Sequence, residues 1–179
     1  MQPTKIDGWI RIALCALTVA LVFAIYGGIH ESVVIAGDSA PAFTITADNG
    51  STVALPRSWP WEAAKFNGKL LVLNFWASWC QPCVEETPSL SRLASEFAPK
   101  GLVVLAISVD RDEKAYNAFL QKFHPAFLTA RDFKLHEQYG TYMYPETYII
   151  SPDGKVLQKF AEGVDWNDPK ITGYIASLL

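Results

Sequence analysis

Leu70–Pro88, LLVLNFWASWCQPCVEETP, is the stretch whose reading decides the fold. Leu70, Leu71, Val72, Leu73, Phe75 and Trp76 form an apolar run of strand length broken only by Asn74, the pattern of a strand covered on both faces. Cys80-Gln81-Pro82-Cys83 follows at once, after which Val84, Leu90, Leu93, Ala94 and Phe97 recur at mostly helical spacing. The cysteines therefore stand at the N-terminus of a helix. Unpaired backbone N–H groups and the positive end of the helix dipole favour thiolate over thiol there, which makes Cys80 the nucleophile. Cys83, one turn along and less accessible, is placed to attack Cys80 once Cys80 is joined to another sulfur. The pair can run in either direction, and its geometry alone does not choose.

C-terminal to this stretch, Leu102–Val109 (LVVLAISV) is a second continuous apolar run and reads as another buried strand. Glu113 to Phe123 follows as a helix with Tyr116, Phe119, Leu120 and Phe123 on one face, stopped by His124-Pro125. A short strand over Phe127–Ala130 and a helical turn over Leu135–Tyr139 come next. Thr147–Ile150 and Val156–Phe160 form a hairpin across Ser151-Pro-Asp-Gly, and a last helix runs from Asp168-Pro169 to Leu178. N-terminal to it, Phe43–Thr46 and Thr52–Leu55 flank the turn dipeptide Asn49-Gly50 as an opening hairpin. Pro56–Gly68, with two prolines and two tryptophans, reads as a loop or short helix on the surface. This alternation implies an α/β three-layer domain with a mixed central sheet. The cysteine turn would lie at the C-terminal end of a central strand, where functional groups of open α/β sheets collect.

Residues 1–30 read as a cytoplasmic tail and membrane anchor, 31–40 as a linker containing Gly37, Asp38 and Ser39, and 41–179 as the folded domain. Ile12–Ile29 is uncharged and reaches the roughly 17–20 residues that a membrane span needs. Lys5 and Arg11 precede it, so the positive-inside rule leaves the N-terminus in the cytoplasm and exports everything that follows. A cleaved signal peptide competes with this reading, but no small-x-small site follows the apolar run. Cys15, inside the segment, reads as a small apolar residue in lipid.

The chain has 179 residues, half of them hydrophobic and 18% charged, enough for one ordinary domain plus an appendage. Its net charge of -3 and the absence of any Lys/Arg run exclude nucleic acid as a partner. Three cysteines cannot make a disulfide framework, and two of them stand at CxxC spacing.

Trp79-Cys80-Gln81-Pro82-Cys83, Pro88 on the same helix and Tyr144-Pro145-Glu146-Thr147 before a later strand resemble the thioredoxin fold. The longer patterns NFWASWCQPCVEETP and YPETYIISPDGKV are similar to the membrane-anchored TlpA/ResA-like thiol-disulfide oxidoreductases, over about Ala40 to Leu178. The resemblance implies a cis Pro145 facing the cysteine pair, with the Tyr144 backbone free to pair with an extended substrate. It implies an acidic modulator of the thiols at Glu86, which lies three residues past Cys83 on the same helical face. Cytoplasmic thioredoxins carry a buried Asp where this chain has Asn74. Asn cannot take a proton from the second cysteine, which leaves Glu86 or water to do so. Trp79 reads as part of the apolar docking surface, Trp76 as core, and Gln81 and Pro82 as residues that tune the potential and border the substrate. Pro88 removes a helical hydrogen bond to the Val84 carbonyl.

The activity so implied is reduction of protein disulfides on the extracytoplasmic, periplasmic side of a bacterial membrane. The implied substrate is an exported disulfide protein such as apocytochrome c before haem attachment, and the implied electron donor a membrane protein of the DsbD/CcdA kind. Neither cofactor nor metal is expected. Competing readings are a disulfide oxidase or isomerase, and a dithiol copper(I) metallochaperone or redox sensor. A zinc site lacks two further ligands, since His30, His124 and His136 are isolated. A structural disulfide would close too small a loop to matter. A peroxidatic cysteine would stand alone with a Thr three residues before it, where this chain has Ala77. A Sco-type copper site would show CxxxC.

Overall fold

The computed structural model describes residues 5–29, 33–55 and 69–179, and the segment 56–68, expected as a surface loop or short helix, lies outside them. The chain divides into two compact units, Met1–Ser32 and Val33–Leu179.

In the first unit a single helix, α1 (Lys5–Ile29), is described, and its residues 8–22 are exposed. Among the described residues no helix is long and apolar enough to cross a membrane. The structure thus does not support the spanning helix expected over 12–29.

The second unit is built on β3 (Leu70–Trp76), all seven residues of which are buried. β3 pairs in parallel with β4 (Leu102–Ser108) and antiparallel with β6 (Glu146–Ile150). The mixed sheet runs in the order β5-β4-β3-β6-β7, with β5 (Leu128–Arg131) and β7 (Val156–Phe160) outermost. The strands and helices expected within 43–55 and 70–178 are found, among them the short helix α4 (Leu135–Gln138), with boundaries moved by one residue or so. β5 begins at Leu128 rather than Phe127, and β6 takes in Glu146.

Alternation along β3 divides the core. Leu71, Leu73 and Phe75 face a cluster with Phe43, Ile45, Val53 and Leu55 from the separate hairpin β1 (Phe43–Thr46) and β2 (Thr52–Leu55), and with Tyr139 and Tyr148. Gly50 supplies the positive φ of 81° that the hairpin turn requires. On the opposite face Leu70 and Val72 meet Leu90, Leu93 and Phe97 of α2 (Gln81–Phe97), and Ile175 of α5 (Pro169–Leu178). Further along that face Trp76 and Ala106 pack on Tyr116 and Phe119 of α3 (Glu113–Phe123). Each fully buried Leu, Val or Phe of the central strand contributes about 1.5–3 kcal/mol.

The segment expected as a linker is part of this unit. Val34 is buried, its N–H bonds the Tyr139 carbonyl at 3.1 Å, and Gly37 N donates to Val156 O at 2.8 Å. Asp38 O and Ala40 N bond the backbone of Val156 and Gly154, so the domain starts near Val33 rather than at residue 41. No apolar period marks the segment, because beyond the buried Val34 it is held mainly by backbone bonds.

Candidate active site

β3 ends at Trp76, and four residues later Cys80 occupies the N-cap of α2, where its sulfur accepts the Cys83 N–H at 3.3 Å. The two cysteines are joined in a disulfide with Cα atoms 5.3 Å apart. Cys80 is 5% exposed and Cys83 1%. The turn is held from below by Asp110, two residues past the end of β4, which is buried and accepts the Ser78 N–H and Ser78 hydroxyl, each at 2.9 Å, and the Ser108 hydroxyl at 2.7 Å. Gln81 and Pro82 are exposed, and Gln81 Nε2 donates to Glu85 at 2.9 Å.

The register of β3 on β6 pairs Phe75 with Glu146, which sets Pro145 at the end of β3 beside the turn. The Tyr144–Pro145 peptide is cis, as the motif implied. Tyr144 is half-buried, its ring 6.0 Å from that of Trp79 and its hydroxyl 3.2 Å from His136 Nδ1. Burial pushes its phenol pKa up. Trp79 is 70% exposed, as are Met143 at 70% and Tyr142 at 55%, so an apolar surface borders the cysteines. Trp76, by contrast, is buried with its ring 4.2 Å from Phe119.

Glu86 is 5% exposed, one helical turn beyond buried Cys83. Asn74 Nδ2 donates to its Oε1 at 2.9 Å and to Thr147 Oγ1 at 2.8 Å. Val164 N and Trp166 Nε1 donate to its Oε2, both at 3.3 Å. Burial raises its pKa from 4.5 to about 7, against the lowering effect of the bonds from Val164, Asn74 and Trp166. A carboxyl poised near neutrality can give or take a proton at working pH. A cleft of about 420 Å³, lined among others by Glu85, Glu86, Arg92 and Asp165, reaches it from solvent.

The structure thus gathers Cys80, Cys83, Glu86, Trp79, Gln81, Pro82, Tyr144 and Pro145 at one end of β3. Three groups escaped the sequence reading. Glu146, taken only as part of a motif, is 5% exposed, pairs with Lys159 at 3.1 Å and accepts the hydroxyls of Thr141 and Tyr148. A charged residue opening an otherwise apolar strand was its signal. Asp110, at the end of an apolar run, gave a similar one. The loop bearing Gly163 and Trp166 gave none, since its contacts to α2 span some eighty residues. Among the described residues no group of three or more metal-ligating side chains gathers.

Residues 36–159 match the AhpC/TSA family. A thiol-disulfide oxidoreductase ResA of Bacillus cereus is 31% identical over 152 residues, which cover 83% of this chain and 83% of that protein. The thioredoxin-like protein YneN of Bacillus subtilis is 35% identical over 124 residues, 67% of this chain and 68% of its own. Among solved structures, a thiol-disulfide oxidoreductase from Bacteroides fragilis superposes with a TM-score of 0.63 at 30% identity, covering 79% of this chain and all (100%) of that one. A Chlorobium tepidum protein described as a DsbE-type thiol:disulfide interchange protein reaches 0.69 at 27% identity, covering 82% and 99%. The chain therefore belongs to the AhpC/TSA family and is a thioredoxin-fold thiol-disulfide oxidoreductase of the ResA and DsbE type, carrying Cys80–Cys83 as its CxxC pair.

Proposed function

We propose that the protein reduces disulfides of exported proteins, with Cys80 as attacking thiolate, Cys83 as resolving thiol and Glu86 as the proton acceptor for Cys83. The observation that carries this reading is the placement of Cys80 at the α2 N-cap, under the Cys83 N–H, with Glu86 buried one turn behind. A sulfur at that position is stabilised as thiolate by the N–H groups and dipole of the helix.

In the reduced protein the Cys80 thiolate attacks one sulfur of the substrate disulfide, whose other sulfur leaves as a thiolate, forming a mixed disulfide. Cys83 loses its proton to the Glu86 carboxylate and attacks Cys80, releasing the second substrate sulfur. Two electrons have then passed to the substrate, and the Cys80–Cys83 disulfide remains. Asn74, an amide bonded to Glu86, supports the assignment of the proton to Glu86. Trp79, Tyr144, Gln81 and Pro82 border the pair and would receive the substrate segment, with Pro145 as the opposite wall.

An oxidising compartment requires a reductant to restore the dithiol, so a membrane donor of the DsbD/CcdA kind completes the proposal, with apocytochrome c as the favoured substrate. The extracytoplasmic location belongs to the same proposal, with the apolar segment 12–29 holding the protein at the membrane. The exposed Ile12, Leu14, Leu17 and Leu21 of α1 support it, and protease accessibility in spheroplasts tests it. The decisive experiment pairs a reduction potential with Cys83→Ser trapping. A potential near about -270 mV and captured exported disulfide proteins support the reductase, whereas one near about -120 mV overturns the direction.

A further inference from the structure

The loop 161–166 follows β7 and crosses behind the cysteine turn. A Cβ built on Gly163 would stand 3.1 Å from Pro82 Cβ, 3.4 Å from Pro82 O and 3.7 Å from Pro145 Cγ. A side chain there would sit at ordinary contact distance from Pro145 but would need Pro82 or the loop to give by a few tenths of an ångström. The residues that follow turn towards α2. Val164 N and Trp166 Nε1 both reach Glu86 Oε2 at 3.3 Å, while Trp166 N donates to Ser89 Oγ at 3.2 Å. Trp166 is fully buried, its ring 5.4 Å from Phe160.

We propose that this loop is a positioning element of the reaction: Gly163 seats it against Pro82 and Pro145, and Val164 and Trp166 then hold the Glu86 carboxylate on the side away from Asn74. The proposal rests on the reading of Glu86 as the proton-handling group and adds what sets its proton affinity. Both loop bonds favour the ionised carboxylate. Weakening them makes Glu86 keep its proton to higher pH. The groups facing Glu86 are Cys83 on its own helix, Asn74 of β3 with Thr147 of β6 behind it, and the two loop donors, while Glu85, Arg92 and Asp165 line the cleft outside. None of the loop donors titrates, so the loop acts by geometry.

The consequence is read most directly in reduction of the disulfide by dithiothreitol. Its thiolate attacks Cys80, the Cys80–Cys83 bond breaks, and Cys83 departs with the electron pair and takes the proton from protonated Glu86. The second thiol of the reagent then displaces Cys80 and closes a cyclic disulfide, so two electrons enter the pair. After correction for reagent ionisation, the rate falls as pH rises through the Glu86 titration. Rates come from acid quenching, alkylation and mass measurement on the full chain.

Trp166→Phe keeps an aromatic ring and removes one charge-assisted donor, which moves the falling limb up by about one pH unit and speeds the reaction about fivefold at about pH 8. Gly163→Ala crowds Pro82 at 3.1 Å, and where the loop rather than Pro82 yields by a few tenths of an ångström the limb moves the same way. In a Glu86→Gln background neither substitution moves anything further. A role confined to packing lowers stability and leaves the limb in place. If Glu86→Gln removes the limb while Trp166→Phe and Gly163→Ala leave it unmoved, the loop proposal is overturned and the Glu86 reading stands. If the limb persists in Glu86→Gln, both fall. Should Trp166→Phe not fold, Gly163→Ala decides alone.

Discussion

Replacing Glu86 with Gln isolates the thermodynamic cost of a buried carboxylate in the oxidised protein. Glu86 titrates at 4.5 when free and near 7 in the fold, because burial outweighs its hydrogen bonds. A carboxyl whose folded pKa is raised is bound to its proton more tightly in the native state. Its contribution is therefore most favourable below about pH 4.5, declines as pH climbs to about 7, and is flat beyond. The raised pKa amounts to a cost of about 3 kcal/mol above neutrality. Gln has nearly the same shape and does not ionise, so any constant penalty of the substitution cancels when two pH values are compared. Other titrating groups cancel as well, being present in both proteins. Guanidinium unfolding at about pH 4.5 and about pH 8 should show the variant gaining about 3 kcal/mol on the parent between the two. A difference that stays constant across that range, within the error of extrapolation, would refute the reasoning, because Glu86 would then ionise as freely in the fold as out of it.

Phe75→Ala empties a fully buried site whose ring lies 5.3 Å from Tyr139 and 6.1 Å from Tyr148; chemical denaturation should show a loss of about 3–5 kcal/mol with the cysteine turn intact. Asp110→Ala leaves the Ser78 N–H without its acceptor and should cost about 2–3 kcal/mol by the same assay, with Asp110→Asn recovering part of it. Val34→Asp puts a charge into a site that is 6% exposed; limited proteolysis should then cut residues 33–40, which the parent protects.

The central part of the fold is legible because burial on both faces writes itself as unbroken apolar runs. Leu70–Trp76 and Leu102–Ser108 are found as strands for that reason, and Asp168 caps the last helix at the residue where sequence places its start. The cysteine turn and Glu86 are legible by spacing, and Pro145 by motif. Asn74 was readable as an interruption in an apolar strand, but its bond to Glu86 depends on how α2 lies across the sheet. The segment 33–40 and the loop 161–166 are invisible to such reading. Apart from the single buried side chains Val34 and Trp166, their interactions are isolated backbone bonds and, at Gly163, a close approach to Pro82, and these leave no period to read.

The early part of the domain has a consequence for colloidal behaviour. The backbone of residues 37–40 covers the start of β7 on one flank of the sheet, and Asp48 N bonds the Thr129 carbonyl of β5 on the other at 2.8 Å. Strand borders left with unpaired amides recruit strands from other chains. Extended chains that come close to such a border are the species most ready to add a strand. By bonding Val156 at the start of β7 and the Thr129 carbonyl of β5 with its own first turns, this protein shortens the strand border on which another chain could add.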